Sequence, residues 1–176
     1  HMTARGEHIL SAGDVCVIHP HVSHGFRAIR RLELSNVMFD PEEFVPADAL
    51  KELPGYHALF VLSRRRDGDR SDARLRLSPS QLTHVTPLLQ ELEREVRGRK
   101  PGYEAAIKGL FCQLVTFLAR ACTPRTGPET PSVHRLAEAV SFMERHAADP
   151  ITLPQIAARA HVSVNQFLRL FKQHYH

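Results

Sequence analysis

The proline-rich stretch at residues 123–131, TPRTGPETP, limits the possible folds more than any other feature of this sequence. Three prolines and one glycine in nine residues exclude a continuous helix or a central strand there. We therefore predict an interdomain linker over 123–131. The whole chain has 176 residues, which suffices for one domain or two small ones with a hydrophobic core.

Composition narrows the class of protein. Hydrophobic residues make up 43% of the chain and charged residues 24%, values typical of globular domains and not of disordered or collagen-like chains. The apolar runs are far shorter than the about 18 residues that span a bilayer, so we expect a cytoplasmic protein without membrane contact. Cys16, Cys112 and Cys122 have no CxxC spacing and are expected as small core residues. The opening His1-Met2 is interpreted as a tag remnant outside the fold.

Two long helical patterns precede the linker. Ser78 and Gln81 form a capping box, and apolar residues then recur at helical spacing until Gly98; a second helix follows Pro101-Gly102. The two helices predict an αα-hairpin over 78–122 with more apolar surface than they can bury in each other. We expect the surplus to form a symmetric homodimer contact, or alternatively to pack on the chain's own sheet. The stripe consists of Leu82, Val85, Leu89, Leu92 and Val96.

The first 62 residues have the rhythm of a β-sheet, because short apolar runs alternate with turn residues. We expect residues 41–54 to be a loop with one short helix. The segment Arg64–Arg76 holds six arginines and three aspartates, which favours a solvated loop; a nucleic-acid patch is the alternative. The predicted strands include Ile9–Leu10, a buried Val15–Ile18, Leu32–Phe39 and Leu59–Leu62.

After the linker the sequence predicts a helix-turn-helix. An amphipathic helix begins near Val133, and two capping boxes follow, Thr152 with Gln155 and Ser163 with Gln166. Each capping box opens a short helix, and His161-Val162 separates the two. Histidine is one of the residues that tolerate the positive φ such a turn requires.

The second of these short helices has two different faces. Three apolar residues point to one side and anchor the helix to the domain, namely Phe167, Leu170 and Phe171. The residues on the opposite side are Asn165, Gln166, Leu168 and Arg169. Asparagine, glutamine and arginine can read base edges, whereas Ser163, Lys172 and Arg159 are expected at phosphates. An ordinary buried hairpin without a DNA role is the alternative. The DNA-contacting candidates are Ser163, Asn165, Gln166, Leu168, Arg169 and Lys172.

The stretch 149–173, DPITLPQIAARAHVSVNQFLRLFKQ, resembles the first helix-turn-helix of the AraC/XylS family of bacterial transcription regulators. The resemblance extends over residues 133–173. DNA-binding domains of that family have two helix-turn-helix units joined by a long helix. The resemblance therefore implies that 132–176 is the first unit, that the second is absent from this chain, and that double-stranded operator DNA is the partner.

Residues 8–26, HILSAGDVCVIHPHVSHGF, resemble the second conserved motif of cupins, the jelly rolls that serve many AraC-type regulators as effector domains. In cupin enzymes a histidine at the place of His24 binds a metal together with an earlier motif. That motif is missing here, so we expect neither a metal nor another cofactor. The resemblance implies an effector site formed by His19, His21, His24 and Phe26.

The segments Leu53–Phe60 and Lys100–Glu104 resemble the sugar-responsive branch of the family, the rhamnose regulators in particular, which implies a sugar or other small polar effector. We therefore predict an α+β fold: a partial cupin-type β-barrel (3–77), the αα-hairpin (78–122), the linker and an all-α helix-turn-helix segment (132–176). The predicted function is effector-responsive transcription regulation without enzymatic activity. The alternatives are a metal-dependent cupin enzyme, an isomerase or dioxygenase, and a sensor or oligomerisation module that does not bind DNA.

Overall fold

The computed structural model describes residues 1–3, 6–18, 23–40, 43–44, 48–62, 74–122 and 132–175. The chain divides into two compact units. The first combines His1–Pro46 with Arg74–Leu114, and the second combines Ala47–Ala73 with Val115–His176. The predicted linker, 123–131, lies outside the described residues, as do residues 64–73 of the arginine-rich segment.

The strands lie in the first unit and are short. One antiparallel sheet has the order β2-β1-β4, in which Thr3 is paired with Gly6 on one side and His24 on the other. The second sheet pairs β3 with β5 antiparallel, Val15 opposite Leu75. The strands are β1 (Met2–Thr3), β2 (Gly6–Glu7), β3 (Asp14–Cys16), β4 (His24–Gly25) and β5 (Arg74–Arg76).

The pairing of β3 with β5 depends on a glycine turn and an ion pair. Gly13 has a φ of +92°, and a Cβ there would lie 2.4 Å from the carbonyl oxygen of Leu77, so only glycine fits. Arg76 donates two hydrogen bonds to the Asp14 carboxylate, at 2.7 Å from Nε and 2.9 Å from Nη2. The end of the predicted arginine-rich loop, Arg74–Arg76, is therefore a strand.

Several other expectations for the first 62 residues were wrong, beginning with the predicted strand Ile9–Leu10, which has no regular structure. Residues 32–39 have no regular structure and lie exposed, and Val15 and Cys16 are half-buried where a buried strand was predicted. Met2, assigned to a tag remnant, belongs to β1. Leu59–Leu62 is helical and continues a helix that Pro54 opens just before it. Periodicity alone cannot distinguish a strand from a buried helix in so short a continuous apolar run.

Both predicted helices before the linker are present, as α3 (Pro79–Gly98) and α4 (Tyr103–Ala121). The capping box is confirmed: the Gln81 backbone N–H donates to Ser78 Oγ at 3.2 Å, and the Ser78 backbone N–H donates to Gln81 Oε1 at 2.8 Å. Arg99, with a φ of +44°, ends α3 in the left-handed conformation. No helix in the described part of the chain is long and apolar enough to cross a membrane.

The second unit is helical and is built around α5. Helix α5 packs against α1, α2, the π-helical turn, α6 and α7. Its residues Leu136, Ala137 and Ala139 are fully buried. The helices are α1 (Asp48–Lys51), within the predicted loop, then α2 (Pro54–Tyr56), which continues as a π-helical turn (His57–Val61), and α5 (Ser132–Arg145), α6 (Leu153–Arg159) and α7 (Val164–Tyr175).

Cys122 and His57, two titratable residues of this unit, are buried. Cys122 is buried, as expected of a core cysteine, and its burial raises the pKa of the thiol to about 11; Cys16 and Cys112 are only half-buried. His57 is also buried, and its Nε2–H donates to the carbonyl oxygen of Lys51 at 2.6 Å. Its other nitrogen, Nδ1, has no hydrogen-bond partner among the described residues. Burial lowers the pKa of His57, although the Lys51 carbonyl and the charge of Glu144 oppose the effect.

We expect the second unit to lose stability on acidification. Because the folded pKa of His57 lies below the ordinary value of about 6.5, the unfolded chain binds more protons between the two values, and stability falls as the pH falls through this window. Burial also lowers the pKa of His134, so this residue should contribute to the loss of stability in the same direction. Urea unfolding at pH 7 and pH 5 should show a smaller loss on acidification in His57→Gln than in the parent chain.

The matched control is His84→Gln, which replaces an exposed histidine of α3. It should leave the loss on acidification as in the parent chain. An equal loss in the parent chain and in His57→Gln would contradict the assignment of this pH dependence to the buried ring.

Candidate nucleic-acid interface

Helices α6 and α7 begin where the two capping boxes predicted. Before α6, the backbone N–H of Thr152 donates to Gln155 Oε1 at 2.8 Å. Before α7, the backbone N–H of Gln166 donates to Ser163 Oγ at 3.3 Å. The side chains thus satisfy backbone groups that the first turn of a helix leaves without partners.

The turn between α6 and α7 is fixed by backbone hydrogen bonds. The N–H of His161 donates to the carbonyl of Ala158 at 3.0 Å, and the N–H of Val162 donates to the carbonyl of Ala157 at 3.2 Å. These two bonds form the Schellman arrangement, in which the residue after the helix is left-handed. His161 is that residue, with a φ of +52°, as the sequence predicted.

Small and aromatic side chains pack α6 against α7. Ala157 on α6 and Ala160, directly after its end, are buried, and Phe167 and Leu170 are buried on α7. The alanines let the two helices approach closely. Phe171, predicted as a third anchor, is half-buried, and its ring stacks on Tyr175 with centroids 4.7 Å apart.

The opposite face of α7 is exposed. Leu168, on this face, leaves 45% of its surface accessible. All six predicted DNA-contacting residues are exposed, namely Ser163, Asn165, Gln166, Leu168, Arg169 and Lys172. Arg159 is exposed as well, but its guanidinium lies over the ring of Phe142, 4.8 Å from the centroid.

The charge of α6 and α7 is of one sign. Residues 151–175 contain no aspartate or glutamate, whereas Arg159, Arg169 and Lys172 give a formal charge of +3. The segregation is visible in the sequence, because the acidic residues of 132–176, Glu138, Glu144 and Asp149, all precede α6. The exposed face of α7 therefore belongs to a surface that favours an anionic partner.

At the other predicted site, the structure brings His24 and Phe26 together. His24 is in β4 and exposed, and its ring meets the ring of Phe26 edge-on, with centroids 6.5 Å apart. The other two predicted effector residues, His19 and His21, lie outside the described residues. Within the described ranges, no group of three or more His, Cys, Asp or Glu side chains is arranged to hold a metal ion.

The predicted dimer stripe on α3 is partly covered by the chain itself. Val85 and Leu92 are buried, Leu82 and Leu89 are half-buried, and Val96 remains 51% exposed. A contact with a second chain would therefore use the accessible edge of the stripe, which consists of Leu82, Leu89 and Val96.

Comparison with known proteins identifies the family. The family model described as the AraC-like ligand binding domain matches residues 1–115, and the chain belongs to this family. Among curated proteins, the chain is similar to proteins named "HTH-type transcriptional activator RhaS". It is 26% identical to the one from Salmonella arizonae over 166 residues and 27% identical to the one from Escherichia fergusonii over 166 residues.

These alignments cover 94% of this chain and 56% of each relative, so the chain spans about half the length of the curated relatives it matches. The relative from Enterobacter sp. shows the same coverage at 26% identity. No solved structure matches the chain.

The left-handed residue of the turn gives a test of the local structure. His161→Gly removes the Cβ that strains this conformation, and we expect the free energy of unfolding to rise by about 0.5–1 kcal/mol. His161→Val should lower it by about 1 kcal/mol, because β-branched residues tolerate positive φ worst. Chemical denaturation measures both changes.

The control is Ala158→Gly, one turn earlier in the right-handed part of α6. There glycine should lower the free energy of unfolding by about 1 kcal/mol. A loss of stability in His161→Gly as large as in Ala158→Gly would refute the left-handed turn.

Proposed function

We propose that this chain is part of an effector-responsive transcription regulator, and that α6 and α7 form a helix-turn-helix whose second helix enters the major groove of double-stranded DNA. The observation that carries the proposal is the division of α7 into a buried side, Phe167 and Leu170, and an exposed polar side. The absence of acidic residues over 151–175 supports the same partner.

The exposed side chains have the chemistry for reading base pairs. Arg169 can donate two hydrogen bonds to guanine O6 and N7, and Asn165 or Gln166 can pair with adenine N6 and N7. Leu168 suits the methyl group of thymine. Ser163 at the start of α7 and Lys172 near its end would contact phosphates and fix the register of the helix.

Two comparisons support a regulator rather than an enzyme. The relatives are named as helix-turn-helix transcriptional activators, and their alignments cover enough of this chain to include most of α5, α6 and α7. The matching family is one of ligand-binding domains. We therefore assign residues 3–77 to effector binding, 78–122 to dimerisation, 123–131 to a linker and 132–176 to DNA binding.

The proposed effector is a sugar or another small polar metabolite. His24 and Phe26 offer a polar ring and an apolar ring side by side, a combination suited to a sugar face, and His19 and His21 are the further candidates. A metal-dependent cupin enzyme is the alternative from another class. Elemental analysis giving one metal ion per chain, lost in His24→Ala, would favour that alternative.

DNA binding should depend on individual side chains of α7. Duplexes selected by this chain from a randomised library should share a base preference, and Arg169→Ala should weaken binding to them by roughly 1–3 kcal/mol and relax one position. Lys172→Ala should weaken all duplexes about equally and reduce the salt dependence. Fluorescence anisotropy at several salt concentrations measures both effects.

Lys108→Ala serves as the matched control, because Lys108 is an exposed lysine on α4. It should bind DNA as the parent chain does. The proposal fails if the triple variant with Asn165, Gln166 and Arg169 replaced by alanine keeps the affinity and preference of the parent chain. A parent chain that selects no duplex even at low salt, where binding to DNA is strongest, would favour a sensor module without DNA binding.

The proposed homodimer uses the accessible edge of α3. Sedimentation equilibrium at micromolar concentration should give a dimer, and Val96→Glu should shift it to the monomer because a carboxylate would be buried against its copy. Gln90→Glu, an exposed position of the same helix, should leave the dimer intact. A parent chain that sediments as a monomer would exclude this contact.

A further inference from the structure

A segment of the ligand-binding region lies in the core of the helical unit. Residues Asp48–Leu62, called here the docking segment, fall inside the part of the chain that matches the ligand-binding family, 1–115. In the structure they pack against α5, whose sequence begins well beyond that match. The docking segment and α5 to α7 belong to one compact unit.

The docking segment is tightly packed at Gly55 and at Leu59. A Cβ on Gly55 would lie 1.9 Å from the carbonyl oxygen of Ala119 and 2.6 Å from that of Cys122, so α2 touches the backbone at the end of α4. Leu59 is buried to 1% exposure in the same unit. Because protein cores are close-packed, the docking segment cannot move without moving the end of α4 or α5.

The local backbone of the docking segment is unusual. The N–H of Leu62 donates to the carbonyl of His57, the bonding pattern of a π-helix. Such turns are rare and occur mostly as single insertions at functional positions of helices. The buried ring of His57 lies in this turn, with Nδ1 unpartnered among the described residues, so this part of the core is not built for greatest stability.

One carboxylate of α5 lies near both the docking segment and the far end of α7. The carboxylate of Glu144, on α5, lies within electrostatic range of Lys51 and His57 in the docking segment. It also lies within range of Tyr175 at the end of α7. Helix α5 thus packs against both the docking segment and α7.

We propose that the docking segment holds α5, and through it α7, in position, so that a change in the ligand-binding region alters the DNA-reading helix through this contact. Helix α4 supplies the covalent route, because its residues up to Leu114 belong to the first unit and those from Val115 to the second. The regulatory meaning of the contact rests on the proposed function. The mechanical coupling itself does not require DNA.

Hydrogen–deuterium exchange of the whole chain tests the coupling. Gly55→Ala must displace the docking segment, and amide exchange in α5 and α7 should rise by about tenfold or more while exchange in α3 stays unchanged. Gly109→Ala is the matched control, since a Cβ there meets nothing within 4 Å, and it should change exchange in none of these helices.

If Gly55→Ala unfolds the whole chain, Leu59→Val applies the same test with the loss of a single methylene. The inference is overturned if either folded variant raises exchange in the docking segment and leaves α5 and α7 as in the parent chain. The same variants are then titrated with duplex DNA. A parent chain that does not bind DNA would reject the proposed function, whereas the exchange result would still decide the coupling.

Discussion

The burial of α5 is the constraint on which the helical unit depends. Leu136, Ala137 and Ala139 are completely inaccessible, and α5 packs against α1, α2, the π-helical turn, α6 and α7. Fully burying one leucine contributes about 1.5–3 kcal/mol relative to leaving it exposed. Helices as short as α1, α2 and α6 have little stability of their own, so this contact, and not their propensity, keeps them folded.

One consequence is that the direction of the exposed face of α7 is determined by residues that are not on that face. The direction of that face follows from Phe167 and Leu170, which are buried in the core that α5 organises. The Schellman turn at His161 then fixes the angle between α6 and α7. The residues proposed to read DNA need no partner within the chain, because the opposite side of the same helix orients them.

The sequence predicted those parts of the fold whose causes are local. The starts of α3, α6 and α7 were predictable because side chains three residues apart cap them, and the left-handed turn was predictable because few residues tolerate it. Leu59–Leu62 was assigned wrongly, since its burial against other elements, and not its periodicity, decides that it is helical. The strand at Arg74–Arg76 was missed because its partner, β3, is distant in sequence.

The candidate site, too, could be predicted only where the cause of its structure is local. The exposed face of α7 could be predicted from helical spacing, because a residue's side of a single helix depends only on its position. The position of the docking segment could not be predicted, because this segment is contiguous in sequence with the ligand-binding region. It packs against α5 only through tertiary contacts.

The central claim is that the exposed face of α7 contacts DNA, and amide chemical-shift mapping during titration with duplex DNA tests it most directly. The account predicts that the largest, salt-sensitive shifts occur between Ser163 and Lys172, with α3 and α4 little changed. Shifts that are largest in α3 or in β3 and β5, with α7 unperturbed at saturating DNA, would contradict it.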